Sequence, residues 1–225
     1  MNALNIRAVA GLLQLLIIMA VLIFVPAGTL DYPRAWMFLA VFFTPVLAIT
    51  IYLMKNDPKL LERRIKAGPA DEKETSQKII QFFAMIDFIA VMLVPAFDHR
   101  FGWSAVPPYV VAAGDIIVVL GFLIVFLVFK ENTFTSAIIE LSTEQKVIST
   151  GPYALVRHPM YIGALIMLVG VPLGLGSWWG LLTVVPMTLV IVWRLLDEEK
   201  FLAKNLAGYS EYQNVVRYRL LPLVW

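Results

Sequence analysis

Two long stretches of this chain carry no charge at all: residues 8–30, up to Asp31, and residues 35–54, up to Lys55. A third runs from Pro159 to Trp193 without a single charged side chain. An apolar run of about 20 residues matches the hydrocarbon thickness of a bilayer. In lipid the backbone must satisfy its own hydrogen bonds, which leaves a helical bundle as the solution for segments of this length. At 225 residues and 60% hydrophobic, with a mean hydropathy of +0.80, the chain holds more apolar sequence than a soluble core of this size could bury. The expected fold is all-α: a polytopic integral-membrane helical bundle of about six transmembrane helices, followed by a C-terminal amphipathic helix.

The six spans are expected at about 8–30, 35–54, 79–97, 107–129, 159–175 and 178–195. The uncharged stretch from Pro159 to Trp193 is too long for one helix, and Gly174, Gly176 and Ser177 supply a turn near its middle. The first apolar segment lacks an Ala-x-Ala-like cleavage site and is long enough to span, so it is expected to be retained. With the N-terminus in the cytoplasm, one membrane face holds Arg7, the 55–78 connector, the 130–157 connector and everything after Trp193. That face carries sixteen of the eighteen lysines and arginines, the other two being Arg34 and Arg100. The asymmetry obeys the positive-inside rule and requires an even number of spans, with both termini cytoplasmic. A bacterial or archaeal inner membrane, or one like the endoplasmic reticulum, suits such a chain.

Several chemistries are excluded or disfavoured at once. The absence of cysteine removes disulfides, thiolate metal sites and a cysteine nucleophile. The two histidines, His99 and His158, fall on opposite faces in this topology, so neither a metal nor a nucleic-acid partner is expected at a net charge of +2. The mixed-charge connector 55–78 reads as a solvated loop or a short interfacial helix. Trp36, Trp103, Trp178 and Trp179 read as an interfacial belt, and the Gly170-x-x-x-Gly174 spacing as close helix packing. Asp87 and Asp115 lie within spans three and four, where an ionisable group is expensive and therefore a candidate for function.

The most informative local feature is Gly151–Ala164, where a polar connector runs into the fifth span. Pro159 suits the first turn of a helix and biases His158 toward extended backbone. The bend presents Arg157 and His158 beside the unpaired N–H groups of a helix start, which favour anions. At the cytoplasmic end of span six, Arg194 and Glu198 are four apart and share a helix face, with Asp197 and Glu199 beside them. Spans five and six form a hairpin, so Arg157, His158, Tyr161, Arg194 and Glu198 are expected around one cavity at the membrane boundary. The segment Asp197–Ala207 is expected to be helical, with Gly208 as its stop. Beyond it the tail, with Tyr209, Tyr212, Val215 and Val216, returns to the membrane surface as an anchor or a lid.

In order along the chain stand G-P-Y-x-x-V-R-H-P-M-Y-x-G from Gly151, R-x-x-x-E-E from Arg194, G-Y-x-x-Y from Gly208 and R-L-x-P-x-x-W from Arg219. This series resembles the isoprenylcysteine carboxyl methyltransferase family, which belongs with the phospholipid methyltransferases of membranes. The resemblance covers residues 132–225. It implies two parts: residues 1–130 as four helices scaffolding the substrate side, and 131–225 as the methyltransferase core. It further implies S-adenosylmethionine as methyl donor, S-adenosylhomocysteine as product, and a lipid or lipophilic small molecule as acceptor. Carried over by position, the cofactor pocket takes Gln145, Lys146, Val147, Ile148, Tyr153, His158, Pro159, Met160, Tyr161 and Glu198, with Glu199 as the alternative carboxylate. Helix N–H groups near Met160 and Tyr161 suit the cofactor's carboxylate; Glu198 suits its ammonium or sulfonium, and Tyr153 its adenine. Arg194 and Glu198 are the catalytic pair, and Arg194 with Asp87 would contact substrate. Two other readings stay open from the residues. A membrane reductase related to the sterol reductases carries a similar R-H-P-x-Y element, though typically with asparagine where Met160 stands. A small transporter would use Asp87 and Asp115 in a polar path.

Overall fold

The computed structural model describes residues 3–65, 70–72, 74–139, 141 and 145–225, and among these all regular structure is helical. Parts of the 55–78 connector (66–69 and 73) and of the 130–157 connector (140 and 142–144) lie outside the described residues. The elements are α1 (Ala3–Ala27), α2 (Pro33–Asn56), α3 (Pro58–Ile65), α4 (Thr75–Phe101), α5 (Pro108–Glu131), α6 (Pro159–Gly174), α7 (Val184–Asn205) and α8 (Tyr209–Val215). Five helices are long and apolar enough to cross a membrane, the fifth being α7 together with the 3₁₀ turn Trp179–Thr183 that leads into it. α6 is a shorter apolar helix of 16 residues.

The expected break in the Pro159–Trp193 stretch is present, with Gly176 at φ +77° in the left-handed region. A side chain there would also strike the Arg34 guanidinium, 2.4 Å from an added Cβ. One boundary differs. The helix expected over 197–207 is not separate from span six; it is the cytoplasmic end of α7, which continues unbroken to Asn205. Nothing between Trp193 and Asn205 interrupts the helix, because Arg194, Asp197, Glu198 and Glu199 all find partners off the helix. The C-terminal amphipathic helix shrinks to the seven residues of α8.

The closest packing in the molecule joins α5 and α6 along a glycine seam. An added Cβ on Gly170 would lie 2.7 Å from the Gly114 carbonyl, and one on Gly121 would lie 2.7 Å from the Gly163 carbonyl. Such distances require backbone against backbone, which only small residues permit. Gly170 and Gly174 therefore do pack a helix, as their spacing suggests, while Gly114, Gly121 and Gly163 carry no comparable spacing. Around this seam, Phe38, Met92, Val118 and Leu175 form the main apolar cluster.

The end of the bundle far from His158 is tied by a polar knot. Asp98 is 2% exposed; it accepts from the Ser104 amide (2.7 Å) and hydroxyl (2.6 Å) and from the Ser177 hydroxyl (2.5 Å). Tyr32 donates to the Leu175 carbonyl and stacks on His99 at 3.7 Å. Trp36, Trp103, Trp178 and Trp179 are all exposed at this end, as an interfacial belt requires.

Replacing Gly170 with Val should destabilise the bundle by about 1–3 kcal/mol, the usual penalty of overpacking. Gly11→Ala should be near neutral, since an added Cβ at Gly11 meets nothing within 4 Å. Thermal unfolding in detergent, read by fluorescence, compares the two.

Candidate functional site

The stretch before α6 is shaped from both sides. A 3₁₀ turn covers Gly151–Ala154, and His158 caps α6 at φ −126°, with Pro159 in the first helical position. The tail then pairs with this bend. The Arg157 amide donates to the Tyr218 carbonyl (2.9 Å) and the His158 amide to the Arg219 carbonyl (3.0 Å). Fewer backbone donors are therefore free than a bare helix start offers. The Tyr161 amide reaches back to the His158 carbonyl (3.1 Å), Pro159 has no N–H, and the Met160 amide is left without a backbone acceptor outside its helix.

Side chains lock the same junction. Glu199 is buried, and its Oε1 accepts from Arg157 Nε at 2.6 Å with His158 Nε2 at 3.2 Å. Its Oε2 accepts from Arg219 Nε at 2.9 Å. Arg157 Nη1 donates to the Val216 and Arg217 carbonyls (2.8 and 2.9 Å). A carboxylate buried this deeply is tolerable only when cations and hydrogen bonds surround it. Glu199 is thus a clamp between the α6 start, α7 and the tail. It does not line the cavity described next, although His158 and Arg157 do.

That cavity encloses about 800 Å³. Gln145, Lys146, Val147 and Ile148 form one wall; Tyr153, His158, Pro159, Met160 and Tyr161 form a second, and Arg194 and Glu198 face them from α7. Residues spread over 54 positions of sequence therefore meet in one space, as the hairpin of α6 and α7 requires. The Tyr161 hydroxyl donates to Glu198 Oε2 at 2.6 Å, which fixes the carboxylate on the cavity side. α8 closes the site on the side away from the bundle: Tyr209, Tyr212 and Val216 pack on Val147, Leu202 and Leu206. The Tyr212 hydroxyl donates to the Tyr153 carbonyl (2.7 Å), and Asn132 Nδ2 donates to the Tyr153 hydroxyl (3.0 Å). Burial raises the Tyr153 and Tyr209 phenols above their ordinary values, and pushes Tyr212 up to about 12, so all three stay protonated donors at neutral pH. The Tyr209 hydroxyl is buried at the cavity without a hydrogen-bond partner among the described residues.

Arg194 and Glu198 are not joined in the ion pair that their four-residue spacing suggests. Arg194 instead reaches across to α4 and the connectors, donating Nη1 to Glu72 Oε1 (2.9 Å) and Gln77 Oε1 (3.0 Å), and Nη2 to the Ala137 carbonyl (2.9 Å). Glu72 is 3% exposed and also accepts from the Ile139 amide. The connector expected to be solvated is, in its described part, a wall of the site. α3 is indeed a short helix, but Leu60 and Leu61 are buried and Arg63 and Arg64 donate to the Thr133 and Ser136 carbonyls. Leu60-Leu61 one turn before Arg63-Arg64 was the available sign of a helix with an inward face. Glu72 and Gln77 left no such sign.

Asp87, expected to contact substrate, is half-buried on α4 and is not among the residues that line the cavity. Asp115 lies against Gly174 near the opposite end and is likewise outside. A polar path through these two aspartates, as a transporter would need, does not form between them and the cavity.

The comparison with known families falls on the segment that builds these walls. A family model for phospholipid methyltransferases matches residues 109–208. Over that segment the chain is similar to the phospholipid methyltransferases, which is consistent with the isoprenylcysteine and phospholipid methyltransferase superfamily. The matched segment runs from the first turn of α5 to the glycine before α8, so it contains the glycine seam, the α6 start and the Arg194–Glu199 stretch. No curated protein matches the sequence. The chain is a membrane protein with a methyltransferase domain.

Glu199→Ala should leave Arg157 and Arg219 facing a buried void, a loss of about 3 kcal/mol for a broken buried pair. Limited proteolysis should then cut within residues 206–225 far faster than in the native protein. Glu198→Ala should leave that cleavage rate unchanged.

Proposed function

We propose that the protein is an S-adenosylmethionine-dependent methyltransferase acting on a lipophilic or small acceptor at the cytoplasmic membrane face. The observation that carries this reading is the convergence of the 145–148 segment, the α6 start and Glu198 on one cavity within the matched family segment. Methyltransferases of that family generally use this cofactor.

The residues present fit it. Its aminocarboxylate and sulfonium need a cation-facing carboxylate and donors for an anion. Glu198 is a carboxylate held at the cavity wall by Tyr161, and the Met160 amide is a donor at a helix start. The Tyr209 hydroxyl is a buried polar group left open for a ligand, since such groups are almost always bonded in a finished site. Tyr153 and the side chains of Val147 and Ile148 give a flat and an apolar surface for adenine. When bound, the cofactor would supply an activated methyl group on a sulfonium.

The protein's own contribution is placement. Arg194 is held by Glu72, Gln77 and the Ala137 carbonyl, so its guanidinium is a fixed cation that can orient an acceptor carboxylate. With a thiol or amine acceptor, Glu198 is positioned to take the proton. Holding two reactants in line converts a bimolecular step into an effectively unimolecular one, worth up to about 7–11 kcal/mol. α8 and the tail, fastened through Glu199, keep water from the cytoplasmic side. The cavity extends between α1, α2 and α5, where Leu12, Leu15, Val46, Ile49 and Phe122 line it, which suits an acceptor arriving from the bilayer. Both termini face the cytoplasm in this reading, and the division of labour at residue 130 makes α1–α5 the acceptor side.

Isothermal calorimetry with S-adenosylmethionine on the detergent-purified chain tests this. Binding is expected, and Tyr209→Phe should weaken it by roughly 1 kcal/mol, about fivefold, without lowering thermal stability. Glu198→Ala should weaken it by more than tenfold. A folded native protein that binds no cofactor would refute the proposal.

A further inference from the structure

The cations that face the cavity are not equally compensated. Arg157 has Glu199 and Arg194 has Glu72. Arg7 and Lys146 are exposed, where water serves. Arg64 has neither: among the described residues no carboxylate pairs with it. Its Nη1 donates to the Ser136 carbonyl at 2.8 Å and lies 3.8 Å from Met160 Sδ, and its plane sits over Phe129, 5.2 Å from the ring centre. Burial works against its charge and lowers its pKa to about 10, with the neighbouring Arg194 adding to the effect. At neutral pH it remains a cation, partly buried and without a counter-ion among the described residues.

Its position tells which end of the cavity it serves. One turn earlier on α3, Leu60 and Leu61 pack with Ala8, Leu53, Val125 and Phe129, anchoring the helix at the foot of α1, α2 and α5. From there the apolar arm of the cavity rises past Gly11, Leu12, Leu15, Val46 and Ile49. An added Cβ on Gly11 would meet nothing within 4 Å, so the arm is open at that level. A guanidinium at the base of an apolar channel matches a molecule with an anionic group at one end and a hydrocarbon chain behind it.

We propose that Arg64 seats the carboxylate or phosphate of an amphiphilic acceptor whose apolar chain lies in the arm between α1, α2 and α5. That this amphiphile is the acceptor rests on the methyltransferase reading above; that Arg64 seats an anion does not. The other source of an anion is the cofactor's own carboxylate. The Arg64 guanidinium stacks on Phe129, a member of the Leu60-Leu61 cluster at the base of the arm, which favours the amphiphile.

The test uses the full chain in neutral maltoside micelles, with tritiated myristic acid as probe and dodecyl phosphate or dodecanol as competitor. Myristic acid should bind, dodecyl phosphate should displace it, and dodecanol should compete about tenfold less well, as loss of a charge-assisted hydrogen bond implies. Arg64→Gln should weaken myristic acid about tenfold or more, Arg64→Lys should recover part of that loss, and Gly11→Leu should block the arm. All three variants should bind S-adenosylmethionine like the native chain, which also shows that they fold. Native-like myristic acid binding by Arg64→Gln overturns the proposal, as does equal competition by dodecanol. If Arg64→Gln loses the cofactor while Gly11→Leu keeps it, Arg64 serves the cofactor carboxylate and the proposal is wrong. A native chain that binds myristic acid but no cofactor supports the seat and refutes the methyltransferase reading instead.

Discussion

Everything at the His158 end of this protein hangs on one buried carboxylate. Glu199 gathers Arg157, His158 and Arg219, three side chains from two distant stretches of the chain, and each partner is itself fixed by backbone contacts. The cluster sits on an otherwise apolar bundle, where an unpaired charge would be prohibitive, so its members stand or fall together. Because Arg157 and His158 also pair through their amides with Tyr218 and Arg219, the clamp sets the bend that starts α6. The same contacts hold α8 against the cavity. One ion cluster thus shapes the mouth of the site, orients its helix start and closes its lid, although its central carboxylate does not line the cavity itself.

The rest of the fold is the frame that makes this possible. The glycine seam presses α5 against α6 and fixes the height at which α6 begins, and the Asp98 knot ties the far ends of α4, the 3₁₀ turn and the loop at Ser104. Stability devices collect at the far end and in the seam, where Asp115 Oδ1 is nonetheless buried without a partner among the described residues; several open or under-compensated polar groups collect near the His158 mouth. Glu198, the Tyr209 hydroxyl and Arg64 are each left facing space, whereas Glu199, Glu72 and Asp98 are each surrounded. That contrast separates groups that hold the molecule together from groups available to a ligand.

Spans, turn and helix start were legible in the sequence because each follows from local rules: apolar length, glycine at a left-handed turn, proline at a first helical position. The motif series around Arg157, Arg194 and Glu198 was legible as well, since consecutive helices of a hairpin must bring their ends together. Choosing between Glu198 and Glu199 was beyond local rules. Adjacent residues on a helix point about 100° apart, and only the partners across the gap decide which one faces the cavity. Arg64, Glu72 and Gln77 were hidden for a related reason. A mixed-charge connector looks solvated until distant elements fold over it, and Arg194 leaves its i+4 neighbour for Glu72 only because α4 brings that residue within reach. Asp87 drew attention through its depth in a span, yet depth alone does not say which way a side chain turns.

Transfer of a labelled methyl group from S-adenosylmethionine into a lipid extract of the native host, with the product identified by mass, tests the central claim most directly. A lipid-soluble product one methyl group heavier than its precursor should form with the native protein and fall sharply with Glu198→Ala. A folded, cofactor-binding protein that methylates nothing in that extract, or an equal yield from Glu198→Ala, would contradict the account.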